Sequence, residues 1–212
     1  MTDHKDIIKY AVIEGKHHEI QDLVEKALKA GLDPNVIINE SLISAMDVVG
    51  NDFGSGRIFV PEMLISAITM KKGLSILKPL LIGDQAEFRG TVIIATVKGD
   101  LHDIGKNLVS MMLEGAGFKV VDLGTDLDVE ELISKVKEIK PQVLGLSALL
   151  TTSMPEMKRV IEALEVQGLR KSLKVMVGGA PIDRTFAEKI GADGSGANAT
   201  EAVELARRFT AM

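Results

Sequence analysis

One short segment combines a carboxylate, an imidazole and glycines at a spacing that suits metal ligation. It reads Gly99-Asp100-Leu101-His102-Asp103-Ile104-Gly105-Lys106-Asn107 and follows an apolar run that ends at Val97. An amphipathic stretch comes next, so His102 is expected on a turn between a buried strand and a helix, where open α/β sheets bind ligands. Asp100 can hold one nitrogen of the His102 ring and leave the other for a metal. Gly105 removes a side chain where a bulky group would approach the backbone.

Two other motifs share features with this segment, and the sequence argues against both. A phosphate-binding P-loop has four residues between its glycines, and Lys followed by Ser or Thr comes next. Here five residues separate Gly99 from Gly105, and Asn107 follows Lys106. The His102-Asp103 pair also occurs in metal phosphohydrolases, but that site needs further histidines. The other histidines belong to the predicted helical part of the chain and are His4, His17 and His18.

Composition excludes several classes of protein. The 212 residues are 46% hydrophobic and 26% charged, which is typical of a globular chain with a core. The net charge of −5 and the scarcity of aromatic residues argue against nucleic acid as a partner. There is no cysteine, no apolar stretch long enough to span a membrane and no secretory pattern at the N-terminus. We therefore expect a cytoplasmic protein with no membrane partner.

Residues 1–82 predict helices only. Apolar residues recur at helical spacing in four segments, the third running from Val36 to Val49 and ending at Gly50. Pro61 suits the first turn of the fourth segment. Four amphipathic helices joined by short loops predict an all-α antiparallel four-helix bundle.

Residues 83–90 are polar and bracketed by glycines, which predicts a linker. From residue 91 to 212, buried-strand runs alternate with helical patterns, which predicts an α/β domain with a parallel sheet and helices on both faces. The expected strands are Thr91–Val97, Lys119–Leu123, Val143–Leu146, Lys174–Val177 and a short one near Asp193. The expected helices are Asn107–Ala116, Val129–Ile139, Pro155–Gln167, Arg184–Ile190 and a last one from Thr200.

The D-x-H-x-x-G arrangement at Asp100, His102 and Gly105 resembles the cobalamin-binding signature of methionine synthase and of small corrinoid methyl-carrier proteins. Three further pieces follow at family-like spacing, and the first third of the chain resembles the family's helical cap. The three pieces are Ser147-Ala148-Leu149-Leu150-Thr151-Thr152-Ser153, Gly178-Gly179 and Asp193-Gly194-Ser195-Gly196-Ala197-Asn198. The resemblance implies a flavodoxin-like (Rossmann-like) domain of five strands in the order 2-1-3-4-5.

The resemblance also implies a cofactor, cobalamin, and a role for each matching residue. His102 is the implied lower axial ligand of cobalt, replacing the cofactor's own dimethylbenzimidazole, and Asp100 and Ser153 complete a relay with it. The loop Asn51–Pro61 resembles the segment that covers the upper cobalt face, with Phe53 and Val60 against the methyl group. The remaining implied cofactor contacts are Gly99, Leu101, Asp103, Ile104, Gly105, Ser147, Leu149, Thr151, Gly178, Gly179, Ala197 and Asn198.

Each of these sites also has a purely structural interpretation. The hydroxyls of Ser147, Thr151 and Ser153 suit a strand end and a helix cap as well as a nucleotide tunnel. The pair Gly178-Gly179 suits an ordinary tight turn, and Phe53 suits the core of the bundle.

The resemblance implies a carrier subunit that is not an enzyme by itself. It would take a methyl group from a substrate-specific methyltransferase and present it to a second one, whose acceptor is expected to be tetrahydrofolate or coenzyme M. A reductive activase is a further expected partner. The alternatives are a cobalamin-dependent sensor or regulator and the cobalamin subunit of a radical mutase. The alkyl group on the purified cofactor distinguishes them, because the alternatives carry adenosyl.

Overall fold

The computed structural model describes residues 4–80 and 88–211 of the chain. They form two compact units, and the main division falls between Phe88 and Arg89. Residues 83–87 of the expected linker lie outside the described residues, so the domain boundaries stay predictions. Within the described ranges, no helix has both the length and the apolar character needed to cross a membrane.

The first unit is helical, as the sequence predicts. Its helices bury apolar residues at helical spacing, for example Ile8, Ala11 and Val12 in the first. The bounds are α1 His4–Ile13, α2 Ile20–Lys29, α3 Pro34–Val36, a π-helix Ile37–Ile43, α4 Ser44–Gly54, α5 Val60–Leu77 and a 3₁₀ turn Lys78–Leu80.

The third helical segment is longer than the sequence predicts. It runs from Pro34 to Gly54 without a break, with the π-helix between α3 and α4. The prediction that it ends at Gly50 is wrong, because a glycine inside a helix costs only about 1 kcal/mol and packing overrides that cost. Phe53 therefore lies in the last turn of α4 and not in a loop, and Val60 is the first residue of α5.

The second unit is a parallel sheet with alternating helices, and its strand order β2-β1-β3-β4-β5 confirms the expected 2-1-3-4-5. The strands are β1 Thr91–Thr96, β2 Lys119–Asp122, β3 Val143–Ser147, β4 Lys174–Gly178 and β5 Gly194–Gly196. The helices are α6 Ile104–Gly115, α7 Val129–Ile139, α8 Met154–Val166, a 3₁₀ turn Arg170–Ser172, α9 Arg184–Ile190 and α10 Ala199–Thr210.

The core of this unit surrounds the central strands. Val92 to Thr96 of β1 are buried, as expected for a strand covered by helices on both sides of the sheet. Helix α7 packs its buried stripe Leu132, Ile133 and Val136 into the same core. The alternating pattern of the sequence therefore follows directly from two-sided burial of the sheet.

Register brings the carboxyl ends of the central strands to one level. Thr96 pairs with Ser147, and Ser147 pairs with Gly178. The loops that follow β1, β3 and β4 therefore start side by side. The first of them contains Asp100 and His102.

Helix α6 begins at Ile104, three residues earlier than the expected Asn107. Gly105 therefore lies in the first helical turn and not in the preceding loop. The early start was not visible in the apolar pattern, because Ile104 is 86% exposed and belongs to no buried stripe.

Candidate functional site

The short loop between β1 and α6 holds His102 against Asp100. The Nδ1 atom of His102 lies 2.7 Å from Oδ1 of Asp100, and the backbone N–H of His102 donates to the same oxygen at 3.0 Å. A carboxylate accepts hydrogen bonds, so this contact places the ring hydrogen on Nδ1. Nε2 is then the ring nitrogen whose lone pair can bind a metal.

The carboxylate of Asp100 is fully buried and accepts hydrogen bonds from two loops. Besides the two donors of His102, the N–H groups of Leu149 and Leu150 donate to Oδ2 at 2.7 and 3.1 Å. Burial alone raises the pKa of Asp100, but the hydrogen bonds from His102, Leu149 and Ser153 outweigh it and lower the pKa well below its ordinary value. Asp100 is therefore an anion at neutral pH.

Ser153 completes this group of side chains. Its hydroxyl oxygen lies 2.8 Å from Oδ2 of Asp100 and 2.9 Å from the carbonyl oxygen of Leu150. Ser153 precedes α8 at the N-cap position, but its side chain makes no capping hydrogen bond. The helix-cap interpretation of Ser153 is therefore wrong, and its hydroxyl serves Asp100.

The residues around His102 present apolar side chains to solvent. The His102 side chain is 53% exposed, although its partner Asp100 is fully buried. Such a cluster of exposed aliphatic groups beside an anchored imidazole fits the broad, largely apolar face of a corrin ring. The exposed fractions are 73% for Leu101, 86% for Ile104, 42% for Leu149 and 40% for Leu150. A Cβ at Gly105 would meet no atom within 4 Å, so this position is open as well.

Other expected contact residues have identifiable structural roles. Asp103 precedes α6, and its carboxylate accepts a hydrogen bond from the Asn107 side chain at 2.9 Å. Ser147 is half-buried at the end of β3, and Thr151 is exposed in the loop that follows. Their contact with the cofactor stays a prediction.

The chain's own backbone requires a glycine at position 179 and leaves little room at position 178. Gly179 has a φ of 134°, and a Cβ there would overlap the carbonyl oxygen of Ala148. A Cβ at Gly178 would lie 3.2 Å from the carbonyl oxygen of Gly196. The overlap explains Gly179 without a ligand, and the contact at Gly178 is tight. Contact of either residue with the nucleotide tail stays a prediction.

Ala197 and Asn198 immediately precede α10, and Asn198 is its N-cap residue. The Asn198 side chain accepts a hydrogen bond from the Glu201 N–H at 2.9 Å, and the Ala197 N–H donates to the Glu201 carboxylate at 3.0 Å. This reciprocal pattern is an N-terminal capping arrangement. A role for either residue in binding cobalamin stays a prediction.

Three positions near His102 were not identified from the sequence. The buried hydroxyl of Thr96 donates to the His102 carbonyl oxygen at 3.0 Å, and Asp126 bonds to the loop before Asp100. The ammonium group of Lys106 is buried and pairs with the carboxylate of Asp122. Only Thr96 had a signal in the sequence, as a hydroxyl at the carboxyl end of a buried strand.

Comparison with known proteins agrees with this geometry. A family model described as a B12 binding domain matches residues 90–204, and a second model of the same description matches residues 5–78. A corrinoid protein of Desulfitobacterium hafniense is 41% identical over 207 residues, which is 96% of this chain and 96% of that protein. This chain belongs to the family of B12-binding corrinoid proteins.

Other relatives of this corrinoid protein cover nearly its whole length. Dimethylamine corrinoid protein 1 of Methanosarcina acetivorans is 44% identical over 202 residues, 95% of this chain and 94% of that protein. One chain of the solved methanol:cobalamin methyltransferase complex MtaBC from Methanosarcina barkeri is 33% identical to this chain, with a TM-score of 0.88. That match covers 96% of this chain and 78% of the other. The expected family, the fold class and cobalamin as the cofactor are confirmed.

Proposed function

We propose that this corrinoid protein carries a methyl group on the cobalt of cobalamin between two methyltransferases. The names of its relatives support this function, because one is a dimethylamine corrinoid protein and another is part of a methanol:cobalamin methyltransferase complex. The proposed donor partner is a substrate-specific methyltransferase. The proposed second methyltransferase passes the group to tetrahydrofolate or coenzyme M, and a reductive activase is the third proposed partner.

One observation carries the proposal, and it is the buried anion that orients His102. Because Asp100 fixes the ring through Nδ1, the ring presents Nε2 as a ligand in a single tautomer. A surface histidine without this partner would exchange between tautomers and rotamers, and it would bind a metal more weakly.

The residues of the loop have separable tasks in this mechanism. Bound cobalamin supplies a metal centre that accepts and releases the methyl group. Asp100 keeps the hydrogen on Nδ1 of His102 and so leaves the lone pair of Nε2 available to a metal. Ser153 and the N–H groups of Leu149 and Leu150 hold the charge of Asp100 in place.

The remaining expected contacts complete the proposal. Leu101, Ile104 and Leu149 supply apolar surface for the corrin ring. Phe53 and Val60 are proposed as shields of the methyl group; Phe53 is half-buried and Val60 is 41% exposed. Gly99, Asp103 and Gly105 are proposed as further contacts of the cofactor. The residues proposed to line the tail of the cofactor are Ser147, Thr151, Gly178, Gly179, Ala197 and Asn198.

The ligand assignment is tested by electron paramagnetic resonance of the cob(II)alamin form. In protein labelled with ¹⁵N-histidine, the nitrogen splitting should change from a triplet to a doublet, which the cofactor's own base cannot cause. His102→Ala should lose this doublet, and His18→Ala, which removes an exposed imidazole of the first unit, should keep it. A triplet in the labelled wild-type protein would show that His102 is not the ligand.

The carrier function is tested by methyl transfer with purified partners. The wild-type protein should take up a methyl group in the presence of one of the methyltransferases specific for methylamines or methanol. His102→Ala, loaded with the same amount of cobalamin, should transfer it more slowly. An adenosyl group on the cofactor as purified, with no methyl uptake from any donor, would favour the sensor or mutase alternatives.

A further inference from the structure

The loop between β2 and α7 runs alongside the segment that leads to His102. Thr96 donates its N–H to the carbonyl oxygen of Gly124 at 3.0 Å, and Leu127 donates its N–H to the carbonyl oxygen of Thr96 at 3.2 Å. Val97 and Leu127 form an isolated parallel bridge. The β1–α6 loop is thus paired on one side with a second loop whose side chains have no role in the proposed function.

Asp126 in this second loop holds the backbone of Gly99 and Asp100 at two points. Its carboxylate accepts the Gly99 N–H at 2.8 Å, and its own N–H donates to the Asp100 carbonyl oxygen at 3.0 Å. The two bonds hold the Gly99 N–H and the Asp100 carbonyl group, which are the two ends of the Gly99-Asp100 dipeptide. The Asp100 side chain starts from that fixed backbone.

The backbone of Asp126 has a left-handed conformation in the position where it makes these two hydrogen bonds. Its φ is 56°, a left-handed conformation that most residues adopt only at a cost and that Asp and Asn tolerate best. Gly99 opposite it also has a positive φ, 79°. Strained residues of this kind persist when surrounding contacts hold them, and they concentrate at functional sites.

The charge of Asp126 is maintained by the same contact. The hydrogen bond from the Gly99 N–H lowers the pKa of Asp126 below its ordinary value, and the nearby Lys98 lowers it further. Lys98 is half-exposed and lies between two carboxylates, 3.6 Å from Asp126 and 3.4 Å from Asp128. Asp128 shares this cation but forms no hydrogen bond with Gly99, so it provides a matched comparison for Asp126.

We propose that Asp126 is a positioning residue for the cobalt ligand, acting through the backbone of Gly99 and Asp100. The inference rests on the proposed role of His102. The Thr96 hydroxyl holds the carbonyl group of His102, and Asp126 holds the two residues before Leu101. Without the Asp126 carboxylate, one end of the loop loses its anchor, and the carboxylate of Asp100 holds the imidazole over a wider range of orientations.

The test compares Asp126→Gly, Asp126→Asn and Asp128→Asn. Gly keeps the left-handed backbone and the N–H donor but removes the acceptor, whereas Asn keeps both the conformation and an acceptor oxygen. We expect Asp126→Gly to bind cobalamin about tenfold more weakly, at the lower end of the effect of residues that orient a metal ligand. It should also show a smaller fraction of cob(II)alamin with the histidine-derived nitrogen splitting. Asp126→Asn should retain most of the cobalamin affinity and most of the nitrogen splitting. Asp128→Asn should match the wild type in both measurements.

Equal affinity and equal nitrogen splitting in Asp126→Gly and Asp128→Asn would overturn the positioning role, provided that the wild type shows the splitting. A wild type without it would instead remove the His102 assignment. If Asp126→Gly fails to fold, hydrogen exchange of the Gly99 amide in the wild-type apoprotein still tests whether the Asp126 anchor exists. The Gly99 amide must then exchange slowly while Asp126 is ionised, and rapid exchange would show that the anchor does not exist.

Discussion

Replacing Asp100 with Asn exchanges one carboxylate oxygen for an amide group that only donates hydrogen bonds. In the wild type, Oδ1 accepts from the N–H and Nδ1 of His102, and Oδ2 accepts from Leu149, Leu150 and Ser153. An Asn amide nitrogen at the Oδ2 position would face two backbone N–H groups. At the Oδ1 position it would face one, the N–H of His102. The second orientation is therefore favoured.

That orientation has two consequences. One buried backbone N–H without an acceptor costs about 1–3 kcal/mol, so the free energy of unfolding of the apoprotein should fall by that amount. In addition, Nδ1 of His102 must accept a hydrogen bond from the new amide, which moves the ring hydrogen to Nε2. The nitrogen that is proposed to bind cobalt then carries a hydrogen, and ligation should be lost although the imidazole remains.

Urea unfolding measures the first consequence, and the ¹⁵N shifts of the His102 ring in the apoprotein identify the tautomer. Asp103→Asn is the control, because Asp103 lies in the same loop but its carboxylate accepts a hydrogen bond from the Asn107 side chain of α6 instead of from His102. The reasoning is refuted if Asp100→Asn unfolds like the control and keeps its ring hydrogen on Nδ1.

The pH dependence of the free energy of unfolding provides a further check on the same variant. The folded-state pKa of Asp100 is lowered, so its contribution to stability is present above the unfolded-state pKa, about 3.9, and is lost as the pH falls further. The difference in stability between wild type and Asp100→Asn should therefore narrow as the pH falls below about 4. A difference that widens below about pH 4 would mean that the sign of the pKa shift is wrong.

Two further substitutions test other parts of the molecule. Gly179→Ala should lower the free energy of unfolding in urea by more than about 3 kcal/mol, since the new Cβ overlaps the Ala148 carbonyl oxygen. Gly168→Ala is the control, because Gly168 also has a positive φ but open space around it, and this variant should lose about 1–2 kcal/mol. Similar losses of stability in the two variants would show that Gly179 is required only for its positive φ. Phe53→Ala should accelerate the light-driven loss of methyl from protein loaded with methylcobalamin and leave the His102 nitrogen splitting intact; photolysis at the wild-type rate would assign Phe53 to packing.

Local patterns were sufficient for most of the fold. Strands buried on both faces read as unbroken apolar runs, so β1 and a parallel sheet could be predicted from the alternation with amphipathic helices. The strand order was expected from the family resemblance alone. One end of each of two helices could not be predicted. Gly50 resembles a helix stop signal, but packing offsets its cost inside α4. Ile104 begins α6 with an exposed side chain, so it adds nothing to the apolar periodicity of the sequence.

From residue types and spacing alone, the site was predictable only as far as its residues lie close together in the sequence. The contact of Ser153 with Asp100, across 53 residues, was expected from the family resemblance. The pairing of Asp100 with His102 follows from a separation of two residues. Asp126 could not be found in this way, since it meets Gly99 across 27 residues and its type suits any polar turn. Lys106 is a comparable case, because nothing local marks a lysine that will be buried against Asp122.

The bonds of Asp100 to both the β1–α6 and the β3–α8 loops set a condition for protein engineering. Transplanting the D-x-H segment alone into another parallel sheet would leave the carboxylate without the N–H groups of Leu149 and Leu150 and without the Ser153 hydroxyl. The recipient would bury a poorly solvated anion, or it would protonate it and lose control of the imidazole tautomer. The smallest portable unit is therefore a pair of loops on adjacent strands, and a scaffold must supply both at the same level.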